Sequence, residues 1–214
     1  MENTTGWSVE GRAAVAAVGA SYAALVGLKG AAARRADPFG ADFTDLAGGD
    51  GSDPLWDDPL HDLVDDSLDR LALIGGMEAQ LAALKVCAAA DYVQAADALA
   101  PPAVALHDNM GQEMAVRAEV ACALTVSEGT AGAFLGDCLA LTKTLPLTLA
   151  ALTAGTISWA HARIMVDETT SLDPAGAAAL EAHFLDPAAP NPARGCPAGE
   201  LVPGRFRAKA RTLA

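Results

Sequence analysis

The sequence predicts an all-α protein: one long kinked helix followed by several short helices packed orthogonally. Three observations carry that expectation. Apolar residues make up 52% of the chain but aromatics only 5%, so the apolar content is mostly alanine, leucine and valine, and the first two enter helices at little cost. Apolar positions recur at intervals of three and four along most of the chain, the period of a helix face. No run alternates between apolar and polar residues in the manner of a half-buried strand. At 214 residues, and about 100 to 200 per domain, the chain can bury a core as one domain with arms.

Residues 1–36 read as an N-terminal helix, with Val15, Val18, Tyr22 and Leu25 on one face. Its uncharged run from Ala13 to Leu28 is sixteen residues long and rich in alanine and glycine, short of the ~20 strongly apolar residues that span a bilayer. Glu2 and Glu10 precede it, where a secretory signal would be basic. Residues 37–58 carry glycines, prolines and many aspartates, the composition of a linker or disordered segment.

A helical core domain is expected over 59–190. It opens with a long helix reaching Leu99, whose stripe from Leu60 to Ala88 includes Leu63, Leu71, Ile74, Leu81 and Leu84. Gly75 and Gly76 predict a kink or a close helix crossing, and Pro101 and Pro102 end the segment. Asn109 with Gln112 resembles a capping box for a helix running to about Leu124. Ser127 caps the next helix. Thr144 with Pro146 starts another, which Gly155 stops; Ser158 caps a fourth, and Asp173 with Pro174 opens a fifth. Residues 191–214 form a Pro/Gly loop and a basic helix, Arg205 to Leu213, that breaks off without a stop signal, as in a truncated chain.

Short helices joined by tight turns must cross at sizeable angles. The expected core comprises Leu124, Phe134, Leu135, Leu139, Leu145, Leu149, Leu152, Trp159, Val166 and Leu180. The four cysteines, Cys87, Cys122, Cys138 and Cys196, form no C-x-x-C pair and lie among apolar neighbours, so they read as reduced core thiols of a cytoplasmic protein.

The net charge of −13 is concentrated between Asp37 and Leu99, where fourteen acids meet only Arg70 and Lys85. After Ala193 the sign reverses, with Arg194, Arg205, Arg207, Lys209 and Arg211 against Glu200. An acidic body repels phosphate backbones, so nucleic-acid affinity should be weak and salt-sensitive. Both charge blocks read first as solvated faces.

The chemistry of catalysis is not evident. His61, His107, His161 and His183 stand far from one another and from the cysteines, unlike metal ligands. His107, Asp108 and Asn109 sit at a helix entrance, where Asp and Asn act as caps. The pairs Asp57–Asp58 and Asp65–Asp66 suit the positive end of a helix dipole better than a cation. The glycines form neither a nucleophile elbow, nor a phosphate-binding loop, nor a dinucleotide turn. Catalytic, metal and cofactor residues are therefore not expected.

An ordered pattern runs through the second half: A-x-x-L at Ala121 to Leu124, Ser127, Ala131, L-P-x-T at Leu145 to Thr148, Ala151 to Ser158, H-A-R at His161 to Arg163, and L-D-P at Leu172 to Pro174. It resembles the family catalogued as domain of unknown function 222, over about residues 60 to 214. The resemblance implies a helical domain of actinobacterial proteins that commonly precedes an HNH nuclease module. That module has no matching residues here, so its catalytic residues are not carried over.

Leu145 to Met165 is also similar to a stretch in the helical DNA-binding core of chromosome-partition proteins of the ParB type. Three expectations follow. The first is a non-catalytic accessory domain of an HNH-endonuclease-like protein. The second is a DNA-binding module using His161, Arg163, Arg205, Arg207, Lys209 and Arg211. The third is oligomerisation with a second copy of the chain along the stripe from Leu60 to Ala88. DNA, in the context of a longer protein, and a homo-oligomer are the expected partners; a membrane or small-molecule substrate is not expected.

Overall fold

The computed structural model describes Ala16, Ala20 and residues 59–100, 106–193 and 198–214, with the side chains of 59–62 and 106–108 excepted. Ala16 and Ala20 are helical and exposed. The linker expected at 37–58, the other residues of the helix expected over 1–36, and Cys196 lie outside the described residues. Among those described there are seven α-helices and no strand, as the sequence predicts.

Helix α1 (Pro59–Leu99) is followed by α2 (Leu106–Leu124), α3 (Glu128–Lys143), α4 (Pro146–Thr153), α5 (Trp159–Thr169) and α6 (Pro174–Leu185). A 3-10 turn, Ala198–Glu200, then leads into α7 (Pro203–Leu213). The chain divides into two units, one ending at Ile74 and the other running from Gly75 to Ala214. The core lies in the second, and α7 belongs to it: Phe206 and Ala210 are buried with the rest.

The α1 helix runs unbroken through Gly75 and Gly76, and the close approach expected there is made to the end of α4. A Cβ on Gly155 would stand 3.0 Å from the Gly76 carbonyl oxygen. The buried face of α1 is not the leucine stripe. Ala79, Ala83, Val86 and Ala89 are buried, whereas Leu71, Ile74, Leu81 and Leu84 are exposed. Short side chains let the α1 backbone approach its neighbours, and the leucines are left on the outside. From Leu63 to Leu99 this helix is long and apolar enough to cross a membrane, and 17% of its most apolar window is buried.

Local signals set most helix ends. The Ser127 hydroxyl accepts the Thr130 amide proton at 3.1 Å, and the Asp173 carboxylate that of Gly176 at 2.7 Å. Pro146 and Pro174 occupy first turns, where no amide proton is missed. Gly155, at φ +74°, closes α4: its N–H donates to Leu152 and that of Thr156 to Ala151, both at 3.0 Å, the paired bonds of a Schellman end. The same arrangement closes α2, where the Val126 N–H donates to Ala121 at 3.0 Å. There the left-handed residue is Thr125, at φ +56°, a conformation that a β-branched side chain adopts only under strain.

Two expected starts differ. Helix α2 begins at Leu106, so Asn109 lies inside its first turn rather than capping it. Thr144 terminates α3, and the residue before α4 is Leu145, whose side chain cannot cap. The missing acceptor comes from α6. The buried Glu181 carboxylate accepts the Thr148 amide proton at 2.6 Å. Burial pushes the Glu181 carboxyl above its ordinary range. The Thr148 amide opposes that push most, followed by the Thr148 hydroxyl, which stands outside hydrogen-bond geometry, and the Leu147 amide.

Helices α3 and α4 meet at 103°, as short connections require. Of the expected core, Leu135, Leu145, Leu152, Val166 and Leu180 are buried, Phe134, Leu139, Leu149 and Trp159 are partly covered, and Leu124 is exposed. Phe184 and Phe206, edge to face with centroids 4.9 Å apart, occupy the centre instead. Cys138 is buried as expected. Cys87 and Cys122 are exposed, because each falls on the solvent side of its helix.

Candidate functional site

Helix α5 carries the residues for which a nucleic-acid role is expected, and it begins with a reciprocal cap. The Ser158 amide donates to His161 Nδ1 at 3.3 Å, and the Ser158 hydroxyl lies 2.8 Å from the same nitrogen. Because Nδ1 accepts, the ring proton sits on Nε2, which donates to the Leu201 carbonyl at 2.6 Å. His161 is buried, and its ring packs against Phe206 with centroids 5.6 Å apart. Nδ1 is thus engaged in capping α5 and Nε2 in tying that helix to the turn before α7.

The basic helix α7 meets the acidic end of α5. Arg207 pairs with Asp167 at 2.9 Å and reaches Glu168 at 3.7 Å, while Arg211 Nε lies 3.1 Å from Glu168. Acids in the last turn of a helix sit at the negative end of its dipole, so these arginines supply the counter-charge that the position lacks. Their charge is used within the domain. Arg205 and Lys209 are exposed on the same helix.

Arg163 stands elsewhere, on the side of α5 facing α3. Its Nε lies 3.3 Å from Asp137, whose side chain is 15% exposed. Burial raises the Asp137 carboxyl above its usual range, the Arg163 charge opposes that rise, and Asp167 adds to it. Beside this pair a half-open hollow of about 260 Å³ is walled by Phe134 and Trp159. Their ring centroids are 5.9 Å apart at a 58° tilt. Lys85 completes one side, its ammonium 6.0 Å from the centre of the Phe134 ring. Leu124 and Val126, the residues flanking strained Thr125, form the apolar rim.

No family model, curated protein or solved structure matches the chain. The residues themselves therefore carry the functional reading. Among those described, no group of three or more His, Cys, Asp or Glu side chains comes together as a metal site. The structure collects instead two cations, one acid and two aromatic rings in a single hollow.

Arg163 stands out in the sequence, as do Phe134 and Trp159 as core residues; Lys85 and Asp137 do not. Lys85 is one of only two cations among the fourteen acids of residues 37–99, the one local signal that could have marked it. Asp137 carries none.

Proposed function

We propose that this chain is a non-catalytic, cytoplasmic accessory domain of an HNH-endonuclease-like protein, a helical scaffold that positions or assembles a nuclease module supplied elsewhere. One observation carries the reading. Five residues of the ordered second-half pattern, Ser127, Thr148, Gly155, His161 and Asp173, make contacts that hold helix ends. Ser127 and Asp173 cap, the Thr148 amide donates to Glu181, Gly155 closes α4 against Gly76, and His161 joins Ser158 to Leu201. Such residues make a framework; reaction chemistry would require convergent, accessible nucleophiles or bases.

The direct DNA-binding reading is weaker on this geometry, since His161 is buried and Arg207 and Arg211 neutralise α5. Arg163, Arg205 and Lys209 are exposed, Arg163 while paired with Asp137.

Plasmid cleavage by the purified chain, assayed with magnesium, manganese and zinc, tests the accessory reading. Intact supercoiled DNA is the expected result, and metal-dependent nicking that co-purifies with the protein would overturn it. A mobility-shift titration at low salt tests the second reading: binding lost on changing Arg163, Arg205 and Lys209 to alanine would replace the scaffold role with a DNA-binding one.

A further inference from the structure

We propose that the hollow between α3 and α5 is a binding site for a small aromatic carboxylate. The inference goes beyond the accessory role and does not depend on it. At about 260 Å³, the space is smaller than the roughly 300 to 1,000 Å³ of drug-sized pockets, so it suits a single ring with a short acidic arm. Phe134 and Trp159, tilted at 58° to each other, wall the space with aromatic surface, against which an aromatic guest packs favourably.

Charge selects the substituent. Lys85 and Arg163 face the hollow with Asp137 as the sole acid among its lining residues, an excess of one positive charge on a chain of net −13. Asp137 holds Arg163 by Nε, which leaves the terminal guanidinium nitrogens for a second anion. A single excess positive charge matches a carboxylate. A dianionic phosphate would exceed the single positive charge that the lining residues supply.

The backbone supports the same site. Thr125 occupies a left-handed conformation, φ +56°, where glycine would be unstrained. Its neighbours Leu124 and Val126 remain 37% and 39% exposed at the rim. A non-glycine residue in this conformation stands between two lining residues of the hollow, and such backbone outliers cluster at binding sites.

Tryptophan fluorescence of the full chain carrying Trp7→Phe and Trp56→Phe, which leaves Trp159 as the sole indole, reads occupancy. Phenylacetate should change the emission saturably, phenylacetamide should bind about tenfold more weakly, and acetate should have no effect. Lys85→Ala should weaken phenylacetate by a similar factor, and Lys85→Arg should restore it. The proposal fails if phenylacetate does not saturate below about 10 mM, if the amide binds equally well, or if Lys85→Ala leaves affinity unchanged. Tighter binding of phenyl phosphate than of phenylacetate would overturn the assignment of a monoanion. Should Lys85→Ala lower the melting temperature, the carboxylate-against-amide comparison on the protein with Lys85 intact decides.

Discussion

The carboxylate of Glu181, on α6, accepts the Thr148 amide proton at 2.6 Å and so caps α4 from outside its own segment. Leu145, in the capping position, has no side-chain acceptor to offer. The start of α4 thus depends on α6 being in place, which couples local helix formation to tertiary packing.

The burial of Glu181 predicts a pH dependence. The folded protein raises the Glu181 carboxyl above 4.5, so its contribution to stability is fully present below about pH 4.5 and is lost as pH rises through the folded value. Asp137, raised from 3.8, acts in the same direction from a lower starting point. Glu181→Gln keeps an acceptor for Thr148 but removes the charge, and should flatten the fall in melting temperature between pH 4.5 and neutrality. Glu181→Leu leaves a buried amide unpaired and should cost about 1 to 3 kcal/mol. Thermal melts by circular dichroism across pH check both.

The two Schellman ends predict substitutions of opposite sign. Gly155→Ala forces a side chain into the left-handed region 3.0 Å from the Gly76 oxygen, and should destabilise by about 1 to 2 kcal/mol. Thr125→Gly relieves the same conformation and should stabilise by up to about 1 kcal/mol. Gly199→Ala should be worse than either, because its Cβ would fall 1.7 Å from the Thr156 carbonyl oxygen. Urea denaturation of the three variants would show the order.

Helix α7 is held by its apolar side more than by its charges. Phe206, 1% exposed between His161 and Phe184, should lose about 3 to 5 kcal/mol on change to alanine. Arg207 and Asp167 are partly exposed, at 38% and 45%, and a solvent-screened pair of that kind is worth about 0 to 1 kcal/mol. Arg207→Ala should therefore shift the urea midpoint far less. Equal effects would mean that charge pairing dominates the contact.

Cysteine labelling should separate three environments. Burial pushes the Cys138 thiol up to about 12, so it should resist iodoacetamide at pH 8 until the protein unfolds. Cys87 is exposed, but desolvation and the nearby Asp91 raise its thiol as well. Exposed Cys122 should react first. Peptide mass mapping of a Cys196→Ser background, sampled over time, gives the sequence of events.

Helix ends were legible because their signals are local. Ser127, Ser158, Asp173, Pro146, Pro174 and Gly155 each act on residues within one turn. The burial pattern of α1 was not, since hydropathy favours its leucines whereas the fold selects Ala79, Ala83 and Ala89 for their small size. The α4 cap escaped for a related reason: Glu181 lies thirty-three residues from Thr148. The candidate site follows the same rule. Arg163 and Trp159 stand out within one helix, while Lys85 and Asp137 acquire meaning only when α1 and α3 bring them alongside.

The His161–Leu201 bond also bears on where this protein can be shortened. Ending a recombinant version at residue 190 would remove the oxygen that receives the His161 proton and uncover the Phe184 ring that Phe206 shields. Such a product would carry an unsatisfied imidazole and a raw aromatic surface, inviting aggregation during expression, so the smallest autonomous version must retain the terminal helix.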